Sequence, residues 1–426
     1  MTPRRPGRPQ PPWLWAAAAI GGLAGTAAAE SLEDVRGRLM RPAASTAAVA
    51  TNRDGLDGRV LCGYQGWFAA EGDGSGIGWR HWCDGRDGRP TIDLLPDVGE
   101  LPPDERFTLR VGGDGPAVEV FSSARTATVR MHVRWMREYG IDGMFVQRFA
   151  VALRDPRLLA HHTAVLGHCR DAALAEGRVY AVMYDLSGLP AGRTGEVLDD
   201  WRQLRTRMGI GADASSLQVA GRPLVAVWGI GFADGRAYSL AECADLVRAL
   251  TADGCAVLVG VPTGWRTGDR DAVADPRLTE IAALAQVVSP WTVGRYRTPD
   301  EAARHADRDW AADLEWCRGR GIDYLPVIFP GFSWHNLKGG PLDQIPRRRG
   351  EFFERQAVEA ARVGARCLSV AMFDECDEAT AIFKLAEPPA ALADRFVGLE
   401  GLPADHYLRL AGAAGLRLRS RAPQPE

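Results

Sequence analysis

The sequence predicts a single (β/α)8 barrel, the TIM-barrel architecture, and three observations predict it. Short apolar runs rich in β-branched residues alternate eight times with longer amphipathic runs. No break in composition divides these units, which favours one closed barrel over an open α/β sheet, the alternative arrangement. Several amphipathic runs end at a glycine just before the next apolar run, as a connection from helix to strand requires.

The predicted strands are largely apolar runs of about strand length, as expected of parallel strands that are covered on both faces. In chain order they are Val60–Phe68, Gly143–Phe149, Val179–Leu186, Leu224–Ile230, Ala256–Val261, Val287–Val293, Tyr324–Phe329 and Cys367–Phe373. Amphipathic runs predict helices between them. The clearest are Thr126–Tyr139, Asp155–Glu176, Leu240–Asp253, Pro299–Arg320 and Pro346–Val363.

Three segments flank or interrupt the predicted barrel, which we place at residues 56–385 after an N-terminal segment over 30–55. A long insertion rich in Gly, Pro and Asp follows the first strand over Arg80–Val118, and we expect a small hairpin in it. A short C-terminal extension over 386–426 is predicted to contain one helix around His406–Ala414.

The first 29 residues have the pattern of an export signal. Arg4, Arg5 and Arg8 form a basic start, Trp13–Ala29 is apolar, and small residues precede Glu30 as at a cleavage site. This pattern predicts a secreted or periplasmic protein, and the alternative is an uncleaved membrane anchor.

Charge and cysteine content exclude several classes of protein and partner. The net charge of −3 provides no field that would recruit nucleic acid or an acidic membrane. The eight cysteines would permit disulfides after export, but most fall inside predicted strands or helices, where they are expected as buried apolar residues. Cys62–Cys83 is the one pair that we consider bridged. No C-x-x-C occurs, which argues against a structural zinc site.

Polar and aromatic residues gather where the predicted strands end, and in barrels of this kind functional residues lie at the C-terminal ends of the strands. Aromatic faces and hydrogen-bonding groups suit a sugar, which has apolar faces and hydroxyl edges, although each ring could also simply pack at the rim. The candidate substrate-binding residues are Tyr64, Gln65, Trp67, Gln147, Arg148, Tyr184, Asp185, Trp228, Trp265, Trp291, Arg295, Trp334 and His335.

Four carboxylates follow the last strand directly: Asp374, Glu375, Asp377 and Glu378. Hydrolysis of a glycosidic bond needs one protonated and one ionised carboxyl, and crowded carboxylates acquire different pKa values. Glu375 and Glu378 are therefore the candidate catalytic pair, with Asp374 and Asp377 as substrate-binding neighbours. An exposed acidic turn is the alternative interpretation.

Other chemistries have less support in the sequence. No G-x-S-x-G marks a nucleophilic serine, no EF-hand loop surrounds Asp374 and Asp377, and the histidines lack metal-ligand spacing at strand ends. His161 and His162 fall in a predicted helix and are expected to face solvent. We therefore expect no metal and no cofactor. A lyase using Tyr184 or Tyr64 as base remains an alternative.

The strand-end motifs resemble the bacterial glycoside hydrolase family 71/99-like proteins, some of which are labelled xylosidases or arabinosidases. The motifs that carry the resemblance span most of the chain. They are Gly63–Trp67, Tyr139–Gly143, Gln147–Phe149, Met183–Leu189, Trp228–Phe232, Ser289–Trp291, Phe329–Trp334 and Met372–Glu375.

The last motif is similar to that of family 99, the endo-α-mannosidases, whose pattern there is Asn-Glu-Trp-His-Glu-Gly-Thr. The resemblance implies that Glu375 acts as base on the sugar 2-hydroxyl, giving a 1,2-anhydro intermediate. It implies that Glu378 protonates the leaving oxygen and then activates water, so that configuration is retained. Asp374, Cys376, Asp377 and Ala379 depart from the pattern, which leaves the sugar open.

The expected function is therefore an exported glycoside hydrolase that acts on an α-linked glycan, of mannan type or related. Hydrolysis of α-1,3-glucan or of xylan and arabinan side chains, and a non-catalytic glycan-binding barrel, are the alternatives. The expected partner is an oligo- or polysaccharide, with no nucleic acid and no membrane beyond export. The oligomeric state is open.

Overall fold

The computed structural model describes residues 30–43, 49–84 and 88–421. The predicted export signal over residues 1–29 lies outside the described residues. Within the described part of the chain, no helix combines the length and the apolar character that crossing a membrane requires.

Eight parallel strands form a closed barrel, which confirms the predicted fold class. They are β1 Val60–Tyr64, β2 Gly143–Phe149, β3 Val179–Asp185, β4 Arg222–Trp228, β5 Ala256–Pro262, β6 Val287–Trp291, β7 Asp323–Tyr324 with Val327–Ile328, and β8 Leu368–Val370. Each strand pairs with the next one along the chain, and β8 pairs with β1 in the register Cys62 to Val370. The sheet therefore has no free edge along this ring.

Strand β7 closes the barrel in two pieces because Pro326, which has no backbone N–H, interrupts it. The first piece pairs with β6 and the second with β8. Between them, Leu325 N donates to Val288 O and Ser369 N donates to Pro326 O, both at 2.9 Å. The hydrogen bonding across the break is thus maintained on both sides.

The helices connect the strands around the barrel. They are α1 Leu32–Leu39, α2 Thr126–Glu138, α3 Pro156–Glu176, α4 Gly195–Gln203, α5 Leu240–Ala252, α6 Arg277–Leu284, α7 Pro299–His305, α8 Ala311–Arg318, α9 His335–Lys338, α10 Glu351–Arg362 and α11 His406–Arg421. The predicted helix over Pro299–Arg320 is α7 and α8 joined by a π-helical turn at Ala306–Trp310. Asp155 caps α3 by accepting from two backbone N–H groups, and Gly177 ends that helix in the left-handed conformation.

The segment between β1 and α2 contains short antiparallel pairs rather than a barrel unit. Phe107–Arg110 pairs with Ala117–Val120, which is the small hairpin expected from the sequence. Leu95–Pro96 pairs with Leu385–Ala386, so the segment is attached to the chain that follows β8.

Two apolar layers make the core. Inside the barrel, alternate strand residues such as Leu61, Phe145, Ala226 and Leu258 form one buried cluster. The intervening residues pack outward against the helices in a larger cluster. All eight cysteines are buried and free, so the predicted Cys62–Cys83 disulfide is wrong. Cys62 lies among the residues packed behind the sheet, where a small apolar side chain is needed.

Candidate active site

The alternation of side chains along each strand decides which strand-end residues reach the barrel mouth. Gln147, Asp185 and Trp228 share the inward parity of Phe145, Met183 and Ala226, which belong to the interior cluster. Gln147 Nε2 lies 3.1 Å from Met183 Sδ, consistent with that direction. These three predicted residues are therefore presented to the mouth.

Tyr64, Arg148 and Tyr184 have the opposite parity and lie buried between the strands and the helices. The Tyr64 hydroxyl is 3.0 Å from His132 Nδ1. Arg148 donates to both oxygens of Asp200 at 2.6 and 2.7 Å, and the Tyr184 hydroxyl donates to the same carboxylate at 2.6 Å. Their polar groups are engaged by the protein, so the structure does not bring these three predicted residues to a substrate.

Trp265 and Arg295 are also committed to protein partners. Trp265 is fully buried and its indole N–H donates to Asp313 at 3.0 Å. Arg295 lies at the exposed rim and donates to Asp271 at 2.7 Å. The histidines of α3 differ from expectation as well: His161 and His162 are buried, not solvent-facing. His161 Nε2 lies 2.8 Å from Gly66 O, and the His162 ring packs against Phe149.

Asp374 fixes the acidic run to the loop after β1. Its carboxylate accepts hydrogen bonds from Gln65 N at 2.7 Å and from Gly66 N at 2.9 Å. Burial raises the pKa of Asp374 to about 7, and these two N–H groups oppose the rise. Because both oxygens face the backbone, Asp374 supports the site rather than binding the substrate as predicted.

Glu375 is a nearly fully buried carboxyl, 3% exposed, at the mouth side of β8. The Thr380 hydroxyl donates to its Oε2 at 3.1 Å. Burial raises the pKa of Glu375 well above its usual value, and the charges of Glu378 and Asp377 raise it further. The Gln65 side chain opposes this rise by hydrogen bonding to the ionised form.

Glu378 is the less buried member of the pair. Burial raises its pKa to about 7, and the charges of Asp377 and Asp185 act in the same direction. The Trp334 indole and the Lys338 ammonium group favour the ionised form and oppose the rise. The two glutamates are therefore electrostatically coupled carboxyls at one barrel mouth, rather than an exposed acidic turn.

Asp377 lies between the two glutamates in sequence and is held by a residue from the insertion. It is buried, and its Oδ2 is 2.9 Å from Nδ1 of His81. The His81 ring stacks on Trp67 with centroids 4.0 Å apart and an interplanar angle of 2°. Phe149 also stacks on Trp67, at 5.2 Å, so that Trp67 is a wall of the site rather than an open platform for a sugar ring.

The loop after β7 carries Trp334 and is shaped by Asp93 of the insertion. Asp93 is fully buried and accepts from His335 N at 2.7 Å and from Asn336 N at 2.8 Å. His335 uses its Nδ1 on Gly340 O at 2.9 Å. The predicted His335 is thus part of the turn that positions Trp334.

Two tryptophans line the opposite side of the mouth. Trp228 and Trp291 meet edge to face with centroids 5.4 Å apart, and both are partly exposed. The Arg236 guanidinium lies over the Trp228 ring, 5.2 Å from its centroid. These rings and Trp334 provide apolar surface beside the carboxyls, which a sugar face could contact.

The arrangement supports acid–base chemistry by carboxyl groups. Among the described residues, no group of three or more His, Cys, Asp or Glu side chains is placed to hold a metal ion. Glu375 and Glu378 are partly protected from water and their pKa values depend on each other, which is the condition under which one carboxyl can be protonated while its neighbour is ionised.

Several residues at the site were not predicted from the sequence. They are His81, Asp93, Arg236, Lys338 and Thr380. His81 and Asp93 lie in an insertion without periodicity, and no sequence signal connects them to β8. Thr380 could have been found, because the quoted family motif ends in Thr at that position.

Three solved structures that share this fold are two of a glycoside hydrolase and one of a glycoside hydrolase-like protein. The GH99 endo-α-mannosidase from Bacteroides thetaiotaomicron matches with a TM-score of 0.62 and 16% identity over 86% of this chain and 99% of that one. A second structure of that enzyme, in complex with Bis-Tris propane, matches with a TM-score of 0.61 and 15% identity over 86% of this chain and 98% of the other. A glycoside hydrolase-like protein matches with a TM-score of 0.52 and 12% identity over 90% of this chain and 99% of its own.

No protein-family model matches the sequence, and no curated protein matches it. The resemblance to family 99 that the strand-end motifs predict is confirmed at the level of the fold. The chain has the barrel fold of the GH99 endo-α-mannosidase structures.

Proposed function

We propose that this protein is a retaining glycoside hydrolase that acts on an α-linked glycan, with Glu375 as base and Glu378 as acid and base. One observation carries the proposal: Glu375 and Glu378 are coupled carboxyls at the barrel mouth, and burial raises the pKa of both. Glycosidic bonds are cleaved by two carboxyls whose environments keep one of them protonated near neutral pH.

The roles follow from the motif after β8 and from the surroundings of each side chain. Glu375 accepts from Thr380 and Gln65, two donors that stabilise a carboxylate, as a base requires. Glu378 has a pKa of about 7, which suits a group that donates a proton and then takes one from water. The family 99 resemblance supplies the order of steps, with the sugar 2-hydroxyl as the group that Glu375 deprotonates.

The proposed substrate class is inferred from the residues that line the barrel mouth, not from the two catalytic glutamates. Trp228, Trp291 and Trp334 provide apolar surface for sugar faces, and Gln147 and Asp185 supply polar groups of inward parity. Asp374 and Asp377, which depart from the endo-α-mannosidase pattern, bond to the β1 loop and to His81. We therefore propose an α-linked mannan or a related glycan, with α-1,3-glucan and arabinoxylan side chains as the substrates to compare.

Export belongs to the same proposal. The basic and apolar pattern over residues 1–29 directs the chain out of the cytoplasm. Polymeric glycans are available outside the cytoplasm. Mass analysis of the mature N-terminus after expression with the full leader tests this part, and cleavage after Ala29 is the expected result.

A glycan panel tests the activity. Purified protein is incubated with α-mannans, α-glucans and arabinoxylans, and the products are identified by mass. We expect reducing-end release from one α-linked class, and loss of that release in Glu375→Gln and Glu378→Gln. The matched control is Glu354→Gln on α10, far from the mouth. Binding without release by the wild-type protein would instead identify a glycan-binding barrel.

A further inference from the structure

The insertion after β1 contributes a side chain to the carboxyl cluster, and this contact has no counterpart in the predictions from sequence. His81 reaches from the insertion to Asp377, with Nδ1 2.9 Å from Oδ2. Asp377 is nearly fully buried, whereas the His81 side chain retains 28% of its exposure. A bond between a rim residue and a buried carboxyl next to Glu378 places His81 where it can influence the catalytic pair.

The position of His81 is tightly defined. Its ring is parallel to that of Trp67, and its carbonyl oxygen accepts from the Thr91 hydroxyl at 2.7 Å. Its backbone has φ of 61°, a left-handed conformation that costs free energy in a residue with a Cβ. The surroundings thus hold an unfavourable backbone conformation in which the imidazole meets Asp377.

Asp377 needs this partner because its other oxygen has none. Oδ1 is buried without a hydrogen bond among the described residues. Burial raises the pKa of Asp377 well above its usual range, and a donor to one of its oxygens opposes that rise because it favours the ionised form. His81 Nδ1 therefore shares one hydrogen with Oδ2, and the strength of that bond decides how much negative charge Asp377 carries.

We propose that His81 is a positioning residue that acts through Asp377, setting the charge beside the Glu375–Glu378 pair. This inference rests on the proposed function, since it assigns His81 a role in the same reaction. Charge on Asp377 favours the protonated form of Glu378, which is the form that can donate to a leaving oxygen. The contact between His81 and Asp377 thus attaches the insertion to the segment after β8, and it also influences the acid strength of Glu378.

Other charged groups face this cluster and act on it together with His81. Arg80 lies beside His81, Asp93 faces Asp377, and Lys338 and Asp185 face Glu378. Asp374 and Cys376 flank the run on the β8 side. His81 differs from these groups because it is hydrogen-bonded to Asp377, which lies between the two glutamates in the sequence.

Two variants separate the charge effect from the stacking effect. His81→Phe keeps a flat ring against Trp67 and removes the nitrogen that bonds Asp377. Asp377→Asn removes the charge at nearly constant size. In both, Glu378 loses a neighbouring negative charge, so the alkaline limb of the kcat/KM profile is expected to move to lower pH by about one unit. The double variant is expected to move no further than Asp377→Asn, since both changes act through one charge.

Thr108→Val is the matched control, because Thr108 is an exposed residue of the hairpin in the same insertion. It is expected to leave the pH profile in place. An unchanged profile in His81→Phe, with a melting temperature like that of the wild type, would overturn the proposal, and so would additive shifts in the double variant.

A second readout separates this inference from the proposed function. The carboxyl stretching bands of the wild-type protein and of both variants are followed by infrared difference spectroscopy during a pH titration. If no glycan is cleaved, a shift to lower pH in one carboxyl titration in His81→Phe still supports the charge effect. If a glycan is cleaved but neither the titration nor the profile moves, His81 is only structural and the inference is wrong.

Discussion

At the scale of single residues, the proposed chemistry depends on how burial and neighbouring charge divide one proton between Glu375 and Glu378. Glu375 and Glu378 each have a raised pKa, and Glu378 contributes to the rise at Glu375. Two carboxyls in this relation titrate as a pair, and the intermediate form with one proton is the one that can do acid and base chemistry. The residues around the pair tune that form.

The pH dependence of activity follows from this pair. With the pKa of Glu378 at about 7, the proton that the proposed mechanism assigns to the leaving group is lost as pH rises through about 7. We therefore expect kcat/KM to fall about tenfold per pH unit above that point, measured on the glycan identified by the panel. A profile that stays flat to pH 9 would contradict the assignment of Glu378 as acid.

Stability gives an independent check of the same pKa. The pKa of Glu378 in the folded protein lies above its unfolded value of about 4.3. As pH rises from about 4.3 to about 7, the unfolded chain ionises this group more readily than the folded protein does, so the folded protein loses stability. Above about pH 7 the loss no longer grows. Glu378→Gln is therefore expected to be more stable than wild type by about 1–3 kcal/mol at pH 8. The difference should shrink towards zero near pH 4.5.

Urea unfolding at both pH values measures this difference, with Glu354→Gln as control. A difference that does not change with pH would show that Glu378 titrates normally in the folded protein.

Ala379 is a strained position in the acidic run. It is 2% exposed and has φ of 54°, in the left-handed region that favours glycine. The family motif quoted above has Gly there. Ala379→Gly is expected to stabilise the fold by about 0.5–1 kcal/mol. The substitution removes the cost of a Cβ in the left-handed conformation, and the greater conformational entropy of glycine in the unfolded chain offsets part of that gain. Thermal unfolding measures the gain, with Ala381→Gly as control, and a lower melting temperature for Ala379→Gly would contradict this explanation.

At the scale of elements, strand parity explains both the success and the errors of the sequence predictions. The strand ends predicted from the sequence lie at the barrel mouth, since β2 has its predicted bounds and β8 is followed by the acidic run. The period of two along β3 assigns Asp185 inward and Tyr184 outward, whereas the sequence prediction places both at the substrate. What the sequence could not provide is the return of the insertion to β8, because the contacts of His81 and Asp93 depend on the tertiary path of a segment without periodicity.

The loop after β7 is an element whose shape depends on one insertion residue. Asp93 accepts from two backbone N–H groups at the start of the short α9 and from the Asn336 side chain. Asp93→Ala leaves those buried donors unpaired, which should destabilise the protein by about 1–3 kcal/mol. It should also lower kcat/KM by about 10-fold or more by releasing Trp334.

Asp97→Ala is a suitable comparison for Asp93→Ala, since the Asp97 side chain accepts from Gly99 N within its own turn. Chemical denaturation and steady-state kinetics on both variants make the test. Equal effects of the two substitutions would contradict the specific role of Asp93.

At the scale of the whole molecule, α11 joins the two ends of the barrel. It packs on α10 and near β1, and Arg419 donates to Gly58 O at 2.9 Å. Its buried face consists of Tyr407, Leu408, Ala411, Ala414 and Leu418. The helix therefore covers the seam where β8 meets β1.

Removal of residues 406–426 tests that role. Losing the burial of Tyr407, Leu408 and Leu418 should cost several kcal/mol, on the order of 1.5–3 kcal/mol for each buried Leu. We expect a lower unfolding midpoint in urea and exposure of the seam to hydrogen exchange at β1. Removal of 422–426 alone is the control, and equal midpoints for the two truncations would contradict the account.

The central claim is that the barrel mouth hydrolyses an α-glycosidic bond with retention, through Glu375 and Glu378. The most direct measurement is proton NMR of the first product formed from the glycan identified by the panel, in water enriched in oxygen-18, with mass analysis of the same sample. The account predicts that the α-anomer appears first, with one oxygen-18 at the new reducing end, and that Glu378→Gln forms neither. A β-anomer as the first product, or undiminished turnover by Glu378→Gln, would contradict it.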